Sequence, residues 1–449
     1  MNGSGFGDVL TGSSEANVIK GGGGGDQIFG ESGEDFLFGS TGADRTDGGN
    51  GNDTHFVDAV GDVARERIGE GEADRVVASL SYTLAKGDEI ELLTTNAIGG
   101  TAAIALTGNE FANAVTGNGG ANALRGLAGD DALNGQAGDD LLVGGAGADH
   151  SSGGLGDDRH IVDNAADRVT ERAGEGRDTV IAGVDYALGL SGEIELLRAA
   201  DAAATAPLKL TGNNKANEVI GNQGANILGG RGGSDVLTGL GGDDELNGGT
   251  GADRTVGGAG NDFHFVDHAG DVVVELAGEG DADRLLTSVD YRLGESVRIE
   301  ILAASGTASI DLTGNSFANR ITGNDAGNLI AGGGGNDVLR GLGGGDAFLF
   351  DTALIGAGNI DQILDFSSDN DIIRLDAHMF EGLAEGALAE GAFRAGRTAL
   401  QADDRILYDQ ASGALFFDAD GSRDEAAAVR FATLQPGTEL SAAEFLVVA

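Results

Sequence analysis

Hydrophobic and polar positions recur along most of this chain with a period of nine, rather than the 3.6 of a helix or the unbroken alternation of a long strand. Laid out in nines, residues 3–56 read GSGFGDVLT, GSSEANVIK, GGGGGDQIF, GESGEDFLF, GSTGADRTD and GGNGNDTHF, and the same frame fits residues 108–161, 212–265 and 314–349. Each of the 22 units opens on Gly, and the sixth position is Asp in 15 and Asn in 7. The eighth is aliphatic or Phe in 16, among them Leu10, Ile28, Leu133, Leu246 and Phe348. Thr46, Ser151 and Thr255 hold it in three units, and His55, His160 and His264 in the last three.

The Gly-rich first half of a unit can take positive φ and turn tightly. The second half is a short strand whose middle side chain points inward, because successive side chains alternate faces. Two units make a coil of 18 residues. Stacked coils predict an all-β fold, a right-handed parallel β-roll or β-solenoid with one file of aliphatic residues on each side.

Residues 18 apart then sit on neighbouring coils, one strand spacing away, so Asp26 faces Asp44 and Asp35 faces Asp53. Two carboxylates at that spacing repel by roughly 3.5 kcal/mol at an effective dielectric of about 20. Summed over many pairs, this exceeds the net stability of an ordinary domain. The register therefore asks for cations between the coils. Calcium suits it best, since it takes six to eight hard oxygen ligands from carboxylates and turn carbonyls, whereas zinc wants His or Cys. Asp/Asp pairs fall at 8/26, 26/44, 35/53, 131/149, 140/158, 235/253 and 244/262. Asn/Asp pairs such as Asn113/Asp131, Asn217/Asp235 and Asn328/Asp346 should bind more weakly, because Asn lends an oxygen but no charge. The competing reading, Asp used only for local turn hydrogen bonds, does not need an 18-residue register.

Composition agrees with a repetitive chain. Of 449 residues 82 are Gly and 2 are Pro, with no Cys and no Trp. Disulfides and thiolate-bound zinc are thereby excluded. The formal charge of −46 repels phosphate backbones and anionic membranes, so no nucleic-acid partner is expected. No apolar run is long enough for a membrane span. The opening "MNGSGFGDVL" lacks the basic and apolar regions of a signal peptide, and export, if any, is expected by another route.

"GGGGGDQIF", "GGNGNDTHF" and "GGAGNDFHF" resemble the GGxGxDxUx nonapeptide of the repeats-in-toxin (RTX, hemolysin-type) calcium-binding proteins. The resemblance implies calcium ions between successive turns, held by Asp side chains and backbone carbonyls. Candidate ligands in the blocks are Asp8, Asp26, Asp35, Asp44, Asp53, Asp131, Asp140, Asp149, Asp158, Asp235, Asp244, Asp253, Asp262, Asp337 and Asp346. The domain reading is RTX block 1 over 1–56, block 2 over 108–161, block 3 over 212–265 and block 4 over 314–349. The mutually similar linking segments 57–107, 162–211 and 266–313 are expected to continue the solenoid with longer coils. Their acids Glu91, Glu195 and Glu300 are expected on solvated faces, and His55, His160 and His264 as hydrogen-bonded core residues. His264 and His268 have helical zinc spacing, but in a strand and turn.

Residues 350–449 resemble the C-terminal domain that closes the roll in serralysin-type proteases, with a hairpin about Ser412–Gly413. "DQILDFSSDNDIIRL" adds Asp361 and Asp365 as candidate ligands of a further calcium. "DADGSRDE" offers Asp418, Asp420 and Asp424 at partial EF-hand spacing, read as a hairpin turn. The closing "AAEFLVVA" resembles the uncleaved signal of type I exported proteins. No HExxH, GxSxG or P-loop pattern appears, so no catalytic residue is named. The function expected is that of a secreted calcium-binding protein, structural or adhesive near the cell surface, with the type I secretion apparatus and cell-surface polysaccharide as partners. Alternatives are the export and folding module of a larger RTX enzyme or toxin, and a polysaccharide-active solenoid.

Overall fold

The computed structural model describes residues 1–423 and 426–449, so Asp424 lies outside the described residues. They fall into two units, residues 1–204 with 208–221, and residues 205–207 with 222–449. Among the described residues the only helical pieces are three-residue turns, and no helix is long and apolar enough to cross a membrane.

In the first unit the nonapeptides form strands that pair in parallel, within a block with the strand two units on and at a block's end with the linking segment. Val9–Thr11 pairs with Gln27–Ser32 and that with Arg45–Asn50, in steps of 18 (Ile28 opposite Thr46). A nine-stranded parallel sheet runs from Val18–Gly23 through Phe36–Thr41 and Thr54–Val57 to Arg168–Val169. The eighth-position side chains point between the sheets: Ile19, Ile28, Leu37, Leu124 and Leu142 are fully buried. The linking segment 57–107 continues the ladders with uneven coils, His55 lying opposite Val76 and Val76 opposite Leu93, offsets of 21 and 17 residues.

The turns explain the glycines. Gly42 has φ +142°, and a Cβ there would strike the carbonyl of Gly24 one coil back. Where the second position of a unit takes positive φ it does so even without Gly, as at Glu31 (+80°) and Leu127 (+85°). That costs roughly 1–2 kcal/mol per residue and is held by the ladder bonds on either side.

In the second unit the same coils run from Ile227–Gly232 onward. A seven-stranded sheet ends with Ala347–Phe350, Ile372–Asp376, Phe445–Val448 and Gly386–Ala387 in that order. The other sheet passes from Asp361–Ile363 to Val429–Thr433, then antiparallel to Ala414–Phe417 and Ile406–Asp409. The hairpin about Ser412–Gly413 is present, with Gly413 at φ +74° and its N–H on the carbonyl of Asp409 at 2.8 Å. Phe350, Phe380, Phe417 and Phe431 fill the space beneath in edge-to-face pairs about 5 Å apart.

Candidate metal centres along the solenoid

Asp/Asp pairs 18 apart are tied through the main chain of the earlier residue. The N–H of the earlier residue donates to Oδ1 of the later Asp: Asp8 to Asp26, Asp26 to Asp44 and Asp35 to Asp53, each at 2.7 Å. Asp131 to Asp149, Asp140 to Asp158, Asp235 to Asp253 and Asp244 to Asp262 follow at 2.7–2.8 Å. The structure thus stacks all seven Asp/Asp pairs. Except for half-buried Asp8, these acids are at most 4 % exposed.

The second oxygen is the informative one. Oδ2 of Asp26, Asp35, Asp44, Asp53, Asp131, Asp140, Asp149, Asp158, Asp244, Asp253, Asp262 and Asp337 is buried without a hydrogen-bond partner. A buried unpaired charge is among the costliest features a fold can carry. Each Oδ2 lies over the first-position glycine of its own unit. A Cβ on Gly21 would stand against Asp26 Oδ2 and 2.7 Å from the carbonyl oxygen of Gly39 on the next coil. Carboxylate and carbonyl oxygens therefore converge on a space kept open by Gly.

The Asn positions give the contrast. Asn113 accepts from the N–H of Asn109 through Oδ1 and donates Nδ2 to the carbonyl of Ile90 at 2.7 Å. Asn319 and Asn328 donate likewise to Ile299 and Ile310. An amide supplies its own positive end; the Asp of the next coil has none. The residues present thus fit a divalent, oxygen-preferring cation.

Electrostatics point the same way. Burial, partly offset by the N–H bond from the preceding coil and reinforced by nearby carboxylates, pushes these carboxyls up. Asp53 and Asp346 reach about 6, Asp131, Asp140 and Asp244 about 7, Asp158 and Asp262 about 8. Asp35, Asp44, Asp149 and Asp253 move in the same direction. Without a counter-charge Asp131, Asp140, Asp158, Asp244 and Asp262 resist ionisation near neutral pH.

The column also runs past the nonapeptides. Asp62, Asp167 and Asp271 accept from the N–H of Asp44, Asp149 and Asp253. Asp74, Asp178 and Asp283 accept from Asp53, Asp158 and Asp262. The first set lies in the unbroken 18-residue register, a signal the sequence carries; the second follows longer coils. Glu91, Glu195 and Glu300, expected in solvent, instead accept from the N–H groups of Asp74, Asp178 and Asp283. They stay partly exposed while one oxygen caps an N–H of the preceding coil.

At the C-terminal side Asp361 joins the column, accepting from the N–H of Asp337 at 3.0 Å. Asp365 does not. It is half-buried, accepts from the N–H groups of Gly341 and Leu342, and pairs with Arg340 at 3.3 Å. The column uses Asp371 instead, which accepts from the N–H of Asp346 at 2.9 Å. Asp418 accepts from the N–H groups of Asp420 and Gly421 in a turn beyond the Ala414–Phe417 strand.

The three histidines are fully buried. Nδ1 of His55, His160 and His264 meets Thr46, Ser151 and Thr255 at 2.7–2.8 Å. Nε2 meets Glu66, Glu171 and Glu275 at 2.5, 2.9 and 2.7 Å. Burial lowers His55 and His264 to about 4, so both are neutral. The order hydroxyl, imidazole, carboxylate resembles a hydrolytic triad, but these groups are sealed in the core with no path for a substrate. His268 is exposed in a turn, its Nδ1 accepting from the N–H of Gly270.

The family model of the RTX calcium-binding nonapeptide repeat (four copies) matches residues 2–37, 21–54, 107–142, 125–159, 209–237, 229–263 and 313–347. No curated protein matches the chain. Taken with parallel coils of 18 residues and the carboxylate column, the match identifies the four blocks as RTX calcium-binding nonapeptide repeats on a β-solenoid.

Proposed function

We propose that this is a secreted protein whose solenoid is folded by extracellular calcium, and that it serves a structural or adhesive role at or near the cell surface. The observation that carries the reading is the file of buried, unpartnered Oδ2 atoms, each set over a first-position glycine. In the blocks the ligands are the sixth-position Asp residues from Asp8 to Asp346, with Asp361 extending the set. Bound calcium supplies the positive charge and oxygen coordination that these carboxylates otherwise lack.

The chain's own residues do the rest. Where calcium is scarce, the stacked acids repel and the formal charge of −46 opposes compaction, leaving a chain extended enough to thread a type I exporter. Outside, at millimolar calcium, sites of the extracellular class fill. Binding is confined to the folded form, so it drives folding by mass action. In this reading residues 350–449 act as a serralysin-like closing domain, covering strand edges that would otherwise seek partners.

Far-ultraviolet circular dichroism with parallel metal counting during calcium titration tests the reading. The chelated chain should lack most β signal, regain it cooperatively and take up several ions. A chain that keeps its β signal in chelator and binds one ion or none ends it.

A further inference from the structure

The nonapeptide accounts for the acid at its sixth position, but not for the acid that faces the first glycine of a block's last unit. Within a block, the glycine 18 residues on offers its carbonyl oxygen: Gly39 to Gly21, Gly48 to Gly30. Eighteen residues beyond Gly48 stands Glu66, and eighteen beyond Gly257 stands Glu275. Both glutamates turn inward and are 1 % exposed. A Cβ on Gly48 would meet Glu66 Oε1 and Asp53 Oδ2, and one on Gly257 would meet Glu275 Oε1 and Asp262 Oδ2. A side-chain carboxylate thus takes the place of the missing main-chain carbonyl.

A third acid completes each group. Asp74 lies against Asp53, and Asp283 against Asp262, through the column's usual N–H bond at 2.7 and 2.8 Å. One oxygen each from Asp53, Glu66 and Asp74 lie within 4.8 Å of one another, as do those of Asp262, Glu275 and Asp283. Two ligands about 2.4 Å from a shared calcium span at most about 4.8 Å. The second oxygens of all six side chains are buried with no hydrogen-bond partner.

The histidines fix the glutamates. Burial, reinforced by nearby carboxylates, raises Glu66 to about 9. With a cation bound it is ionised and can only accept, so His55 Nε2, 2.5 Å away, then donates to it while Nδ1 accepts from the Thr46 hydroxyl at 2.7 Å. His264 does the same between Thr255 and Glu275. With both ring nitrogens used, every free ligand atom is oxygen, which selects a calcium-class ion over zinc. In the second block Glu171, 2.9 Å from His160 Nε2, spends both oxygens on the N–H groups of Gly153 and Gly154, whereas Glu275 accepts from the N–H of Gly257 through Oε1 and keeps Oε2 unpartnered.

We infer that Asp53, Glu66 and Asp74, and likewise Asp262, Glu275 and Asp283, each hold a calcium-class divalent cation at the exit of a block, with His55 and His264 as positioning residues. The inference rests on the reading that the block interiors bind calcium. Equilibrium dialysis of the full chain at saturating calcium separates the two. The Glu66→Gln/Glu275→Gln variant should bind two ions fewer than wild type at equal β signal, and Glu171→Gln should lose none. An unchanged count in the double variant, or an equal loss in Glu171→Gln, overturns the exit sites; a wild type that binds no calcium removes the parent reading as well. His55→Gln/His264→Gln should keep the count and weaken only two ions, about tenfold, while uniform weakening assigns the histidines to packing alone. Should the glutamate variant not fold, crystals of wild type grown with calcium decide the matter. Anomalous density is expected at Glu66 and Glu275, and its absence overturns the proposal.

Discussion

The N–H of Asp337 reaches Asp361 Oδ1 at 3.0 Å across 24 residues, as that of Asp35 reaches Asp53 at 2.7 Å across 18. The carboxylate column therefore keeps its register where the nonapeptide has already lapsed. Burial pushes both Asp337 and Asp361 above the ordinary carboxylate range, and Asp337 further through the charge of Asp361. Asp361→Asn should weaken the calcium proposed there by about tenfold or more, since one of two charges is lost. Asp365→Asn should leave calcium titration unchanged, because Asp365 serves Arg340 and two backbone N–H groups. Calorimetric titration of both variants checks the contrast, and equal effects would contradict it.

The glycine cradle makes a second prediction. Gly30→Ala places a methyl against Asp35 Oδ2 and 2.5 Å from the carbonyl of Gly48. Overpacking of this kind costs about 1–3 kcal/mol, and it blocks the space a cation would use. The calcium midpoint of folding should rise for Gly30→Ala. Gly99→Ala, where a Cβ meets nothing within 4 Å, should leave it in place. Circular dichroism against free calcium reads both.

How much of this was legible in the sequence follows from coil length. Where the period stays at 18, pattern fixes register, and Asp26, Asp44 and the other paired acids fall where the nines put them. Asp62, Asp167 and Asp271 were equally readable, being one more step of 18. Asp74, Asp178 and Asp283 were not, since coils of 20 or 21 residues add turn residues whose placement no periodicity dictates. Glu66 looked like one acid among many; only the fold shows it turned onto Gly48. Asp371 displaces Asp365 for the same reason, because the last coil spans 25 residues from Asp346.

The raised carboxyls set a pH dependence for the metal-free chain. Their folded-state values of about 6 to 8 exceed the unfolded value near 4, so the folded form binds more protons. The stability from this source is fully present below about pH 4 and is lost as pH rises through about 6 to 8. His55 and His264 act oppositely: lowered to about 4, they favour the fold above about pH 6.5 and oppose it as pH falls towards 4. Two histidines are outnumbered by the column's aspartates, so protonation wins. In chelator, β signal should be small at pH 8 and grow on titration towards pH 5. A signal that instead declines on acidification would show that the acids do not govern folding.

Phe445 heads the strand that pairs in parallel with Ile372–Asp376 and antiparallel with Gly386–Ala387. Its ring is 1 % exposed and lies 5.7 Å from that of Phe393. The segment that resembles an export address is thus an interior strand, second from the edge of its sheet, once folded. On the proposed export route, recognition of this segment would have to precede formation of that sheet. Phe445→Ala should cost about 3–5 kcal/mol through the cavity it leaves beneath the hairpin sheet. In saturating calcium its thermal midpoint should fall while the number of ions bound by residues 1–221 stays that of wild type. Scanning calorimetry with metal counting measures both, and an unshifted midpoint would reduce the terminal strand to an address with no part in closing the solenoid.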